Sequence, residues 1–231
     1  MGLGLDSEVV RDGAVNGERI LAGLDLWVGV VSTTSRAILS AAIDSFAVRG
    51  FHGTTLRHIS EGSGLSTAAL YVHFRSKEEL LFEISRRGHE VAMELVQRAS
   101  SLPSASPSQA MCCLTYAFTR WHAEQQTIAR VVQYELNALS DEHAKAISDL
   151  RRTTVQAVRT LIDRGCELGA FDVEDTRGAT AAVLSLGIDV ARWYQPGGAY
   201  TPDELGRLYC RFAMKLLVTP EARPVVDGPC D

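Results

Sequence analysis

The chain has 231 residues, of which 46% are hydrophobic, enough for a sizeable buried core in one large or two small domains. A formal net charge of −5 excludes a general nucleic-acid coat, which needs many Lys and Arg to neutralise phosphates, but not a small DNA reader within an acidic protein. The five cysteines (Cys112, Cys113, Cys166, Cys210, Cys230) are odd in number and show no CxxC spacing or Cys/His cluster. Neither a disulfide framework nor a metal site is therefore expected, and a reducing, cytoplasmic setting fits best.

Residues 1–32 read as a weakly ordered N-terminal extension. Their apolar run "ILAGLDLWVGVVS" (Ile20 to Ser32) contains Asp25 and follows an acidic stretch. It is too short to span a bilayer and lacks the basic start of a signal peptide, so no membrane partner is expected. In "TSRAILSAAIDSFAVRG", Ile38, Ala42, Ile43 and Phe46 share one side of a helix, and Gly50 supplies its stop. A short second helix, "TTLRHISEG", ends at the break between Gly62 and Gly64. Ser66 is placed to cap the next helix, with Leu65 and Leu70 at the spacing of a hydrophobic staple. Ser76 and Glu79 have the spacing of a capping box for a fourth helix that continues past Met93.

A Pro/Ser-rich connector, "SLPSASPS" (Ser101 to Ser108), follows. Five more helices are expected at about 108–123, 125–139, 141–168, 173–194 and 202–218. Thr201-Pro202-Asp203-Glu204 is a strong start signal for the last of them. The expected architecture is all-α with about nine helices. Residues 33–82 are expected to form one helical domain, 83–219 a second, and 220–231 a loose tail.

Two short helices joined by a Gly-containing turn and braced on each side are the parts of a helix-turn-helix, whose second helix enters the major groove. Leu56, Ile59, Leu65, Leu70 and Phe74 can close a small core with Phe46 and Leu81. That leaves Thr67, Ala68, Ala69, Tyr71, Val72 and His73 toward the opening. Between Arg57 and Lys77 the charge is locally inverted, with Arg57, Arg75 and Lys77 against Glu61.

The stretch "AILSAAIDSFAVRGFHGTTLRHISEGSGLSTAALYVHFRSKEELL" (Ala37 to Leu81) resembles the DNA-binding domain of TetR-type transcriptional regulators. The likeness lies in its Phe-Ala-x-x-Gly-Phe run, Thr-Thr pair and Leu-Tyr-x-His-Phe-x-x-Lys signature. The resemblance implies a homodimer that binds a palindromic operator in double-stranded DNA and releases it when a small molecule enters the C-terminal domain. Carried over, it implies that Thr55, Tyr71, His73 and Lys77 touch phosphates while Arg57, Thr67, Ala68 and Ala69 face base edges, Arg57 being the strongest reader. The family commonly has an acidic residue where this chain has His58. The cap at Thr55 is thus expected to lose its reciprocal partner, with His58 facing solvent or a phosphate.

The C-terminal half shows no GxSxG, Walker loop or dinucleotide fingerprint. "HAE" (His122 to Glu124) lacks the Pro-Cys-x-x-Cys that a zinc deaminase needs, so no enzyme, cofactor or metal is expected. Cys112 and Cys113 read as core thiols. Tyr116, Trp121, His122, Arg130, Gln133, Tyr134 and Asn137 are the candidate effector-binding residues, a mixture of apolar and polar groups that suits a cavity between helices. Small residues at Gly178, Ala182, Ser185 and Gly187 suit close helix approach, so helices 173–194 and 202–218 are expected to pair with their copies in a homodimer. The ending "ARWYQPGGAYTPDELGRLYCRFAMKLL" (Ala191 to Leu217) is similar to that of a TetR subgroup that controls fatty-acid and sterol catabolism. That likeness implies an acyl-CoA thioester as effector. Two rival readings are an activator without effector-induced release and a helical small-molecule carrier that binds no DNA.

Overall fold

A computed structural model describes residues 7–30, 32–103 and 105–218. Among them are ten α-helices: α1 (Ser7–Leu21), α2 (Thr33–Gly53), α3 (Leu56–Ser63), α4 (Thr67–His73), α5 (Lys77–Ser100), α6 (Pro107–Glu124), α7 (Gln126–Tyr134), α8 (Asp141–Glu167), α9 (Thr176–Trp193) and α10 (Pro202–Leu217). A single 3-10 turn, Leu136–Ala138, ends what the sequence suggests as one helix to 139. The described residues contain no strand. The tail expected at 220–231 lies outside them.

Over residues 7–30, the described part of the segment read as weakly ordered (1–32), the chain instead forms a helix and a packed stretch. α1 buries Val10, Ala14 and Ile20 in the same core as α6 and α10. Its two glycines make this possible. A Cβ at Gly13 would come within 2.5 Å of Cys112 Cβ, and one at Gly17 within 2.3 Å of the Tyr116 ring, so the two backbones touch where larger side chains would hold them apart. After α1 the chain runs along α5, tied by arginine. The Arg98 guanidinium donates to the carbonyls of Ile20 and Ala22 at 2.8 Å, and Arg87 to that of Val28 at 2.7 Å. Arg36 on α2 takes the Val30 carbonyl at 2.8 Å. Trp27 and Val30 then pack on the core that α2 to α5 enclose.

That core holds Ile38, Phe46, Ile59, Leu70, Phe74 and Leu81, with Leu56 and Leu65 at its edge, as the apolar spacing predicts. The caps are real. Ser66 accepts from Ala69 N at 3.1 Å and Ser76 from Glu79 N at 3.0 Å. Glu79 does not return to Ser76; it accepts from Arg75 N at 2.6 Å, so that expected capping box is half formed. α5 continues unbroken from Lys77 to Ser100 and belongs to both halves of the molecule.

A second correction concerns the thiols. Cys112 on α6 and Cys210 on α10 are joined by a disulfide with Cα atoms 4.9 Å apart. Both side chains are fully buried. Cys113 is a free buried thiol, pushed up to about 12 by burial. A third concerns the small residues of α9. Gly187 does not face outward, because a Cβ there would lie 2.6 Å from Phe118 of α6. It allows close packing within the chain, while Ala182 and Ser185 keep some exposure.

Candidate DNA interface and effector cavity

α4 is a two-turn helix that turns Leu70 and the capping Phe74 inward and leaves a flank outside. Tyr71 is 54% exposed and Val72 81%, and Ala68 and His73 are exposed as well. Packing therefore leaves Ala68, Tyr71, Val72 and His73 largely free. Thr67 is tied back, its hydroxyl 3.1 Å from that of Ser60 on α3. His73 Nδ1 lies 3.2 Å from the Ser35 hydroxyl.

Two more of the candidate DNA residues have internal partners that the sequence did not disclose. The Lys77 ammonium donates to the carbonyls of Phe51 and Thr54 at 2.6 and 2.7 Å and sits 4.2 Å above the Phe51 ring; burial lowers its pKa. It clamps the end of α2 to the start of α5, with one N–H left over. Arg57 is open to solvent and paired with Glu61 at 2.8 Å. At Gly50 the backbone reaches φ +67, a conformation favoured by glycine, and turns α2 toward this clamp. Phe51 N there donates to Glu135, at the end of α7, at 3.0 Å.

His58 corrects an expectation. Thr55 N donates to His58 Nδ1 and His58 N to Thr55 Oγ1, each at 3.2 Å. The imidazole replaces the missing carboxylate in a complete capping box.

In the C-terminal half a cavity of about 220 Å³ lies between α5, α6, α7, α8 and α9. Of the candidate effector residues Trp121, His122 and Gln133 line it, joined by His89 of α5 and by Arg151 and Thr154 of α8. The other four are elsewhere. Tyr116 points the opposite way, under α1: its hydroxyl donates to Asp203 at 2.6 Å, lies 2.9 Å from Glu18 and accepts from Arg120 at 3.0 Å. Arg130 and Tyr134 are exposed. Asn137 lines a neighbouring groove with Arg151 and Arg152. The missed residues sit on helices distant in sequence, and a lone buried His89 amid the apolar face of α5 was their only signal. Both histidines are depressed to about 4, chiefly by burial. The carbonyl of Phe118, 2.7 Å from His122 Nδ1, can only accept, so that nitrogen carries the proton and Nε2 a lone pair.

The profile of tetR-family bacterial regulatory proteins matches residues 38–84, and that of a tetracyclin repressor-like C-terminal domain matches residues 104–217. A tetR-family bacterial regulatory protein from Rhodococcus RHA1, solved by crystallography, is 34% identical over 81% of this chain and 98% of its own, with a TM-score of 0.76. The chain belongs to the TetR family of transcriptional regulators. Among its curated relatives is the HTH-type transcriptional repressor KstR2 of Rhodococcus jostii, 27% identical over 79% of this regulator and 90% of the relative. The fold is shared at 21% identity by AibR, solved with isovaleryl coenzyme A and operator DNA, over 81% of this chain and 99% of that one (TM-score 0.71). No helix among the described residues is long and apolar enough to cross a membrane.

Proposed function

We propose that this regulator is a cytoplasmic homodimeric repressor that binds a palindromic operator and is released by a hydrophobic effector, an acyl-CoA thioester. The observation that carries the reading is the exposed flank of α4 on a rigid three-helix bracket. Thr55, Tyr71, His73 and the spare N–H of Lys77 would hold phosphates. Thr67, Ala68 and Ala69 would read thymine methyls and groove shape, and Arg57, on leaving Glu61, a guanine.

The copies would pair through α9 and α10, where Trp193, Phe212 and Leu216 are 40 to 47% exposed. The cleft lined by Leu186, Tyr209 and Leu216 belongs to this face. Support for a thioester comes from the meeting of the apolar cavity and a cationic groove at Arg151, and from the isovaleryl coenzyme A that AibR binds.

The route to DNA is short. Val132 of α7 lines the cavity and also packs in the DNA-binding core, and Glu135, three residues on, holds Phe51. An effector that favours a displaced α7 would therefore shift the population toward dimers whose α4 helices miss successive major grooves. The test is operator binding with and without thioester. Sequence-selective, salt-sensitive binding relieved by effector supports repression, unrelieved binding supports the activator reading, and no DNA binding supports a carrier.

A further inference from the structure

The cavity holds one conspicuous orphan. His89 is 6% exposed, lines the cavity, and its Nε2 has no hydrogen-bond partner among the described residues. Native proteins rarely leave a buried ring nitrogen unpaired, and here the imidazole that carries it lines space that a ligand can fill. Around it the walls are Ala92, Phe118, Trp121, Ala129, Val132 and Leu184. At the mouth Arg151 has no carboxylate partner among the described residues, whereas its neighbour Arg152 is paired with Asp149 at 3.1 Å.

Volume limits the occupant. An engineered apolar cavity of about 150 Å³ accepts benzene. Scaled to about 220 Å³, that gives roughly nine non-hydrogen atoms, beside roughly twenty for a steroid nucleus or a stearoyl chain.

We propose that the cavity selects a short branched or single-ring acyl thioester, its carbonyl accepting a hydrogen bond from His89 Nε2 and its phosphates lying toward Arg151. This rests on the acyl-CoA reading above and adds the class of acyl group and the residue that recognises it. The neutral state of His89, kept by a pKa of about 4, suits a neutral carbonyl better than a carboxylate. Arg151, on the same helix as Thr154, places a positive charge where the pantetheine arm would leave.

The test is calorimetric titration of the full chain with coenzyme A, isovaleryl-CoA, benzoyl-CoA and stearoyl-CoA, alongside operator release by each. The proposal expects isovaleryl- and benzoyl-CoA to bind at least about tenfold tighter than stearoyl-CoA. It also expects His89→Leu to weaken the short thioesters about tenfold without changing the affinity for coenzyme A. His89→Gln, which keeps an N–H donor, should recover part of that loss and covers the case in which the leucine variant does not fold. Stearoyl-CoA binding as tightly as isovaleryl-CoA, or a folded His89→Leu that binds like the parent, overturns this proposal and leaves the effector reading standing. Binding of no thioester, with no operator release, overturns both.

Discussion

His58 shows how one side chain takes over a role usually played by another. A carboxylate caps a helix start by accepting from a backbone N–H; the lone pair of imidazole Nδ1 does the same at Thr55. Removing it should cost about 1 kcal/mol. Chemical denaturation of His58→Ala is expected to show that loss, and His58→Glu, which restores an acceptor, to show little. Equal stability of all three would mean the bond adds nothing. Arg87 is more demanding. Its side chain is 9% exposed, paired with Glu83 at 2.6 Å, and donates to the Val28 carbonyl. Arg87→Met removes Glu83's closest partner, leaving it Arg86 at 2.9 Å, and frees the N-terminal segment, so a loss of about 2 kcal/mol is expected by the same measurement.

Among the elements, α1 and the stretch after it form a strap from the C-terminal helices to the helix-turn-helix half, stitched by Arg98, Arg87 and Arg36. It lies wholly outside the matched family profiles, which begin at residue 38. A variant starting at residue 32 would expose Tyr116, Cys112 and their neighbours. Loss of the buried Val10, Ala14 and Ile20 alone should lower stability by about 4 kcal/mol, readable as a fall in thermal midpoint.

This element was the least legible in the sequence, for a physical reason. Two glycines in 15 residues weaken its helical propensity, and their purpose, contact with Cys112 and Tyr116, appears only when α6 is beside them. The four-residue spacing of Gly13 and Gly17 was the available clue. Helices α2 to α5 were legible because caps, turn glycines and apolar spacing are local signals. The Cys112–Cys210 link, spanning 98 residues, left no such trace. Closing a loop of that length is worth about 4 to 5 kcal/mol in the chain-entropy account. Reduction should lower the denaturation midpoint correspondingly, and alkylation of unreduced, unfolded protein should leave Cys112 and Cys210 unlabelled while modifying Cys113 and Cys166.

For the whole molecule, the cavity joins stability to pH. The unfolded chain binds protons on His89 and His122 below about 6.5, whereas the folded chain resists until about 4. Unfolding is therefore favoured as pH falls through that window, by up to about 3 kcal/mol per histidine, and the loss is absent above pH 6.5. Denaturation curves between pH 7 and 4.5 are expected to show that decline, and His89→Gln to flatten it. The candidate cavity was only half legible because its walls come from five helices: Trp121, His122 and Gln133 are close in sequence, but His89, Arg151 and Thr154 reach them only through packing.

The proposed function makes the outer flank of α4 the working surface of the regulator. The most direct measurement is the affinity of the full chain for the palindromic operator that this proposal requires, by fluorescence anisotropy across a salt series, compared with Tyr71→Ala and Val72→Ala. Both side chains are exposed, so neither change should disturb folding. Tyr71→Ala is predicted to weaken binding at least about tenfold, as removal of a phosphate-positioning contact requires, and Val72→Ala much less. Operator binding by Tyr71→Ala equal to that of the parent chain would contradict the placement of α4 in the groove.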